Sequence, residues 1–80
     1  MKKFEYLCVF LDEIDNRKYY GKVDGCDKVL FLSFTDALNT YGNDGWELVN
    51  VQRYTDEKNE YGLEFIYVWD LIFKREKQDE

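Results

Sequence analysis

Tyr19, Tyr20, Tyr54, Tyr61, Tyr67 and Trp69, with Arg53, Lys74 and Arg75 near them in the pattern, are the side chains best suited to holding a ligand. Aromatic faces stack on a planar ring for ~1–3 kcal/mol per base, and a guanidinium adds charge-assisted hydrogen bonds to an anion. A small planar anion such as a nucleotide is the ligand class such a set would take. Two features oppose it: no Gly-rich phosphate loop is present, and the net charge is −6. Aromatics of this kind more often build a core or an interface.

Other chemistry has weaker support. Glu47, Glu64 and Asp70 fall in strand-like stretches where a carboxylate pair could form across strands, but any acidic β protein offers such pairs. Ser33, the only serine, is placed to cap a helix. No histidine is present, which removes histidine metal sites, Ser-His and Cys-His nucleophile pairs and the commonest general base. The oxygen-rich stretches 12–16 and 24–27 lack the spacing and closing glutamate of a calcium loop and read as solvated turns. No catalytic residue, metal or cofactor is therefore expected. Cys8, in an apolar run, reads as a small buried hydrophobe, and Cys26 as a loop thiol; their spacing does not suggest a disulfide.

The elements that would carry these residues are mostly strands. Residues 4–11 alternate, with Phe4, Tyr6, Cys8 and Phe10 on one face and Leu7, Val9 and Leu11 on the other. Both faces are apolar, so both require cover. Residues 12–16 read as an acidic turn and 19–23 as a short strand broken at Asp24-Gly25. Residues 29–32 read as a strand or an extended approach to a helix. Ser33 and Asp36 mark a helix start, and Phe34, Ala37, Leu38 and Tyr41 follow an amphipathic stripe. Gly42 is the expected left-handed cap and 43–45 a sharp turn. Residues 46–54 and 64–75 are strands joined by a polar connection. In the last strand Phe65, Tyr67, Trp69, Leu71 and Phe73 share one face and Ile66, Val68 and Ile72 the other. The expected fold is α+β: a mostly antiparallel sheet of three to five strands with one amphipathic helix, in the order β-(β)-α-β-β. Residues 1–75 form one domain and 76–80 a charged, frayed tail.

The block Leu38-Asn39-Thr40-Tyr41-Gly42-Asn43-Asp44-Gly45-Trp46-Glu47-Leu48-Val49, preceded by Phe4-Glu5-Tyr6 and followed by Phe73-Lys74-Arg75, resembles the domain-of-unknown-function family numbered 4177. Its pattern is an opening F-E-Y strand, a helix ending L-N-x-x-G-x-x-G-W-E-L-V and a last strand ending F-K-R. Residues 15–32 exceed the link usual in that family, leaving room for an extra hairpin. The resemblance implies a compact β, α and further β fold of small bacterial and phage proteins, and no activity. Physically, Gly42 and Gly45 would bracket a helix-to-strand turn, Trp46 would plug the helix end against the sheet, and Leu48 with Val49 would continue the strand, with Glu47 between Trp46 and Leu48 in the motif.

Size and charge bound the partners. An 80-residue chain buries only ~60% of its unfolded surface, and small domains without staples often oligomerise. A ten-residue helix, ~15 Å by ~10 Å, covers well under half of one face of such a sheet. The remainder must be covered by residues 19–32 folding over it or by a second copy, and a homodimer or higher oligomer is expected. With 17 acidic against 11 basic residues, and the basic ones scattered, duplex nucleic acid is not an expected partner. No stretch approaches the roughly 18 apolar residues of a membrane helix, and the N-terminus does not read as a signal peptide. A cytoplasmic, non-enzymatic, self-associating binding or regulatory domain with a protein partner is the leading expectation. The alternative is a phage-type small-molecule binder or nucleotide sponge with its aromatic and basic pocket at a subunit interface.

Overall fold

The computed structural model describes residues 2–15, 18–23 and 29–77. Five strands form one sheet: β1 (Phe4–Asp15), β2 (Lys18–Val23), β3 (Val29–Phe31), β4 (Glu47–Asp56) and β5 (Ile66–Glu76). One helix, α1 (Phe34–Gly42), lies between β3 and β4. The strand order is β3-β2-β1-β5-β4, and every pairing is antiparallel. This overturns the expected β-(β)-α-β-β order, because three strands precede the helix.

The middle segment also behaves differently from the expected cover. Tyr19, Tyr20 and Gly21 pair with Phe31, Leu30 and Val29 in the plane of the sheet. Residues 18–23 and 29–31 thus widen the sheet rather than fold over it, because their polar backbone groups are satisfied by the neighbouring strand. The acidic stretch is likewise no turn up to Asp15: β1 continues through it, with a register shift between Glu13 and Asp15. Asn16 and the 24–27 stretch, with its Asp24-Gly25 break and Cys26, lie outside the described residues. At the other end of the chain Glu76 belongs to β5, and the Lys77 amide donates to the Lys3 carbonyl at 2.7 Å. Residues 76–77 therefore continue the sheet instead of fraying, while 78–80 are not described.

β1 is the axis of the sheet, paired with β5 from Phe4 through Glu13 and with β2 over its second half. Strand alternation and these registers define two faces. The first carries Leu7, Val9 and Leu11 with Trp69, Leu71 and Phe73, and α1 packs on it. Val9, Leu11, Tyr19, Phe31, Ala37, Leu71 and Phe73 form the buried core there, with Phe34, Leu38, Tyr41 and Trp46 packed around it. The helix starts as its sequence dictates: Ser33 is extended and its hydroxyl accepts the Asp36 amide at 3.0 Å. Its end corrects the expected cap. Gly42 is the last helical residue, Asn43 follows with φ −65°, and the left-handed residue is Gly45 at φ +89°. The Tyr41 carbonyl accepts from both Asp44 and Trp46, so the reversal is closed three residues later than a Gly42 cap would place it.

Two glycines make opposite predictions. A Cβ on Gly21 would stand 2.5 Å from a Phe31 ring carbon and 3.1 Å from Leu11 Cδ2, whereas one on Gly42 meets nothing within 4 Å. Gly21→Ala should lower stability by about 1–3 kcal/mol through overpacking. Gly42→Ala should raise it by about 0.4–1 kcal/mol, since its helical backbone suits alanine. Urea unfolding midpoints check both signs.

Candidate interaction surface

The second face of the sheet carries Phe4, Tyr6, Cys8, Phe10 and Asp12 on β1, with Ile66, Val68, Asp70, Ile72 and Lys74 opposite them on β5. One end of this face is covered by the connection between β4 and β5. Asn59 shapes that connection: its Oδ1 accepts the amides of Tyr61 and Leu63, and its Nδ2 donates to the carbonyls of Asp56 and Leu63. Gly62 completes the reversal at φ +72°. Tyr61 is thereby turned onto the sheet, where its hydroxyl donates to Asp12 Oδ2 at 3.1 Å and its ring stacks on Tyr20 at 6.0 Å. Ile66 and Val68 are buried at this end. Beside them the Tyr54 hydroxyl donates to Asp70 Oδ1 at 3.2 Å.

The other end of the same face is open. Phe4, Tyr6 and Phe10 are 45%, 64% and 40% exposed. Cys8 is an exposed free thiol, not the buried hydrophobe expected from its apolar neighbours. The reason is that alternation puts it on the face α1 does not reach.

Of the nine side chains anticipated as one ligand set, eight stand on strands and are divided between the two faces, and Tyr61 reaches the second face from the β4–β5 connection. Tyr19 is in the core against Phe34, opposite Glu13 in the β1–β2 register. Arg53, Tyr67 and Trp69 do come together on the helix-bearing face, with the guanidinium 4.8 Å from the Tyr67 ring centre and 5.5 Å from that of Trp69. Trp69 also packs on Phe34 at 4.8 Å, and its buried indole N–H has no hydrogen-bond partner among the described residues. Tyr20, Tyr54 and Lys74 lie on the opposite face, Lys74 with its ammonium 5.2 Å from the Phe4 ring centre. Odd and even strand positions cannot share a face, so residues close in the sequence pattern are separated by the sheet itself.

Arg75 has a different task. Its Nε donates to the Glu5 carboxylate, its Nη1 to the Asp44 carbonyl at 2.9 Å, and its guanidinium covers the Trp46 ring at 4.1 Å. Glu5, Trp46 and Arg75 come from the F-E-Y, G-W-E-L-V and F-K-R segments. Three distant pieces of the sequence signature thus meet at the helix-to-strand reversal, and their joint presence has a structural cause. Leu48 packs on the core, while Glu47 is exposed and lies opposite Lys74. Glu47 sits four residues along the register from Asp70, roughly 13 Å away, and Glu64 is in the exposed connection, so the three carboxylates do not assemble.

The Tyr61–Asp12 and Tyr54–Asp70 pairs were not anticipated as pairs. The signal available was an isolated aromatic, Tyr61, in an otherwise polar connection. Among the described residues no group of three or more cysteines, aspartates and glutamates is close enough to hold a metal ion, and no helix is long and apolar enough to cross a membrane. Comparison with protein families, curated proteins and solved structures finds no match for this chain.

Two outcomes test these assignments. Arg75→Ala should cost about 1–2 kcal/mol, discounted for the partial exposure of its ion pair, while Arg53→Ala should cost under about 1 kcal/mol. Denaturant unfolding separates them. Burial, then the bond to Asp12 and its charge, raise the Tyr61 phenol from 10.0 to about 12, and burial with Glu13 does the same for Tyr19. The neutral phenols are the favoured forms in the fold. Their stabilisation is complete below pH 10 and is lost as pH rises through 12. Burial and Asp70 raise Tyr54 as well, so phenolate absorbance should show three late-titrating tyrosines, and Tyr61→Phe should remove one.

Proposed function

We propose that this chain is a non-enzymatic, self-associating binding domain acting in the reducing cytoplasm. The observation that carries it is the half-covered second face of the sheet. A monomer of 9.7 kDa ordinarily exposes about 5,100 Å², whereas this chain exposes 6139 Å². Its radius of gyration, 13.9 Å, exceeds the roughly 12 Å of a compact chain of this length. The cause is a sheet built on strands of up to 12 residues, ~40 Å long, under a helix of 9 residues, ~14 Å long. The exposed, unpaired thiol of Cys8 suits a reducing compartment.

A second reading is supported by Arg53. Its guanidinium is stacked on two rings, and no carboxylate is paired with it among the described residues. Such a group is arranged to meet a planar anion, as in a nucleotide-sequestering protein. A nucleotide panel at millimolar concentration should then raise the melting temperature of the native chain and not of Arg53→Ala; no shift with any nucleotide retires this second reading.

For the leading reading, light scattering on the chain at tens of micromolar should give a mass of at least twice 9.7 kDa. A mass of one chain would contradict it.

A further inference from the structure

We infer that the open end of the second face seats a second copy of this chain, packed sheet against sheet about a two-fold axis running across the strands through Cys8 and Ile72. This rests on the self-association proposed above and specifies where it occurs.

The quantity of surface fits. The excess over a compact monomer is about 1,000 Å², and a standard interface removes about 800 Å² from each partner. Its location follows from the side chains. Among the large apolar residues left exposed on strands, Phe4, Tyr6, Phe10, Leu30 and Tyr54 lie on the second face, against Val29 and Val51 on the first, with Val49 at the register shift of β4. Phe4, Tyr6, Cys8 and Phe10 stand in one row on β1, with Ile72 beside Cys8. Lys74 and Asp70 flank Ile72 on β5, giving an apolar centre with a charged margin.

The register then selects the orientation. Tyr6 lies opposite Lys74, Cys8 opposite Ile72, and Phe10 opposite Asp70. Rotation about an axis through the Cys8–Ile72 row exchanges the rows on either side of it. Tyr6 of each copy therefore meets Phe10 of the other, and Lys74 of each meets Asp70 of the other. Within one chain Lys74 makes no ion pair among the described residues, and Asp70 accepts only a tyrosine hydroxyl. The two-fold supplies both with an opposite charge, twice. An axis along the strands would instead keep each row facing its own equivalent, so that Lys74, which lies opposite Glu47 in register and over the Phe4 ring, would not meet Asp70. Facing sheets lie ~10 Å apart, so the two Cys8 thiols point at each other across the axis.

The experiment uses the full chain carrying Cys26→Ser, which leaves Cys8 as the sole thiol. A short bis-maleimide should convert most of the protein to covalent dimer, and Phe10→Asp should abolish both the cross-link and the dimer mass. Lys74→Asp and Asp70→Lys should each weaken the dimer by at least about ten-fold, and the two together should restore it. Circular dichroism verifies that each variant is folded. A dimer mass that persists with no Cys8 cross-link, and is indifferent to Phe10→Asp, overturns this placement while leaving self-association intact. Cross-linking without rescue by the double reversal overturns the axis. A monomer at every concentration overturns both proposals.

Discussion

β1 is apolar on both faces, paired with β5 along one edge from Phe4 to Glu13 and with β2 along the other over its second half, and the rest of the structure is an answer to that condition. A strand whose backbone is satisfied by β2 and β5 can bury its side chains only above and below the sheet. α1 meets the demand on one face through Phe34, Ala37, Leu38 and Tyr41. On the other face the β4–β5 connection, folded around Asn59 and ending in the Tyr61 stack, covers one end. Nothing among the described residues reaches Phe4, Tyr6, Cys8 and Phe10 with a comparable layer, and these side chains remain exposed. Small domains have little core to spare, and the uncovered apolar row is the feature on which the proposed self-association rests.

The cluster of Glu5, Trp46, Arg75 and the Asp44 carbonyl shows how a short chain secures a long sheet. Arg75 ties the end of β5 to the beginning of β1 and to the reversal that launches β4. Three strands and the end of the helix are held at one point by a single guanidinium with acceptors on two sides and a ring beneath it. Arg53, stacked over Tyr67 and Trp69, resembles Arg75 in having a ring partner but has no carboxylate pair among the described residues.

Much of this was legible from local pattern, and the misses share a cause. The two-faced alternation of β1, the Ser33 cap and the helical stripe depend on neighbours a few residues away, and each was readable from the chain. The short strands β2 and β3 depend on pairing with one another, so their few residues carry little periodic signal. Gly42 has the residue type of a left-handed cap, yet Gly45 adopts that conformation because the Tyr41 carbonyl holds two amides beyond it. The ligand set divided because face assignment depends on register between distant strands, including the shift between Leu48 and Asn50 in β4. Tyr61 belongs to the ligand aromatics read from the sequence, but its bond to Asp12 and its stack on Tyr20 depend on how the β4–β5 connection folds back on the sheet.

The central claim is that the exposed half of β1 is an inner surface of an assembly. An isotope-filtered NOE experiment on a mixture of labelled and unlabelled chains observes this directly. Cross-peaks between the Ile72 methyls of one chain and those of the other, and between Tyr6 and Phe10 rings across chains, are the expected result. Intermolecular cross-peaks confined to β4, or none at all at concentrations where the chain is fully assembled, would contradict it.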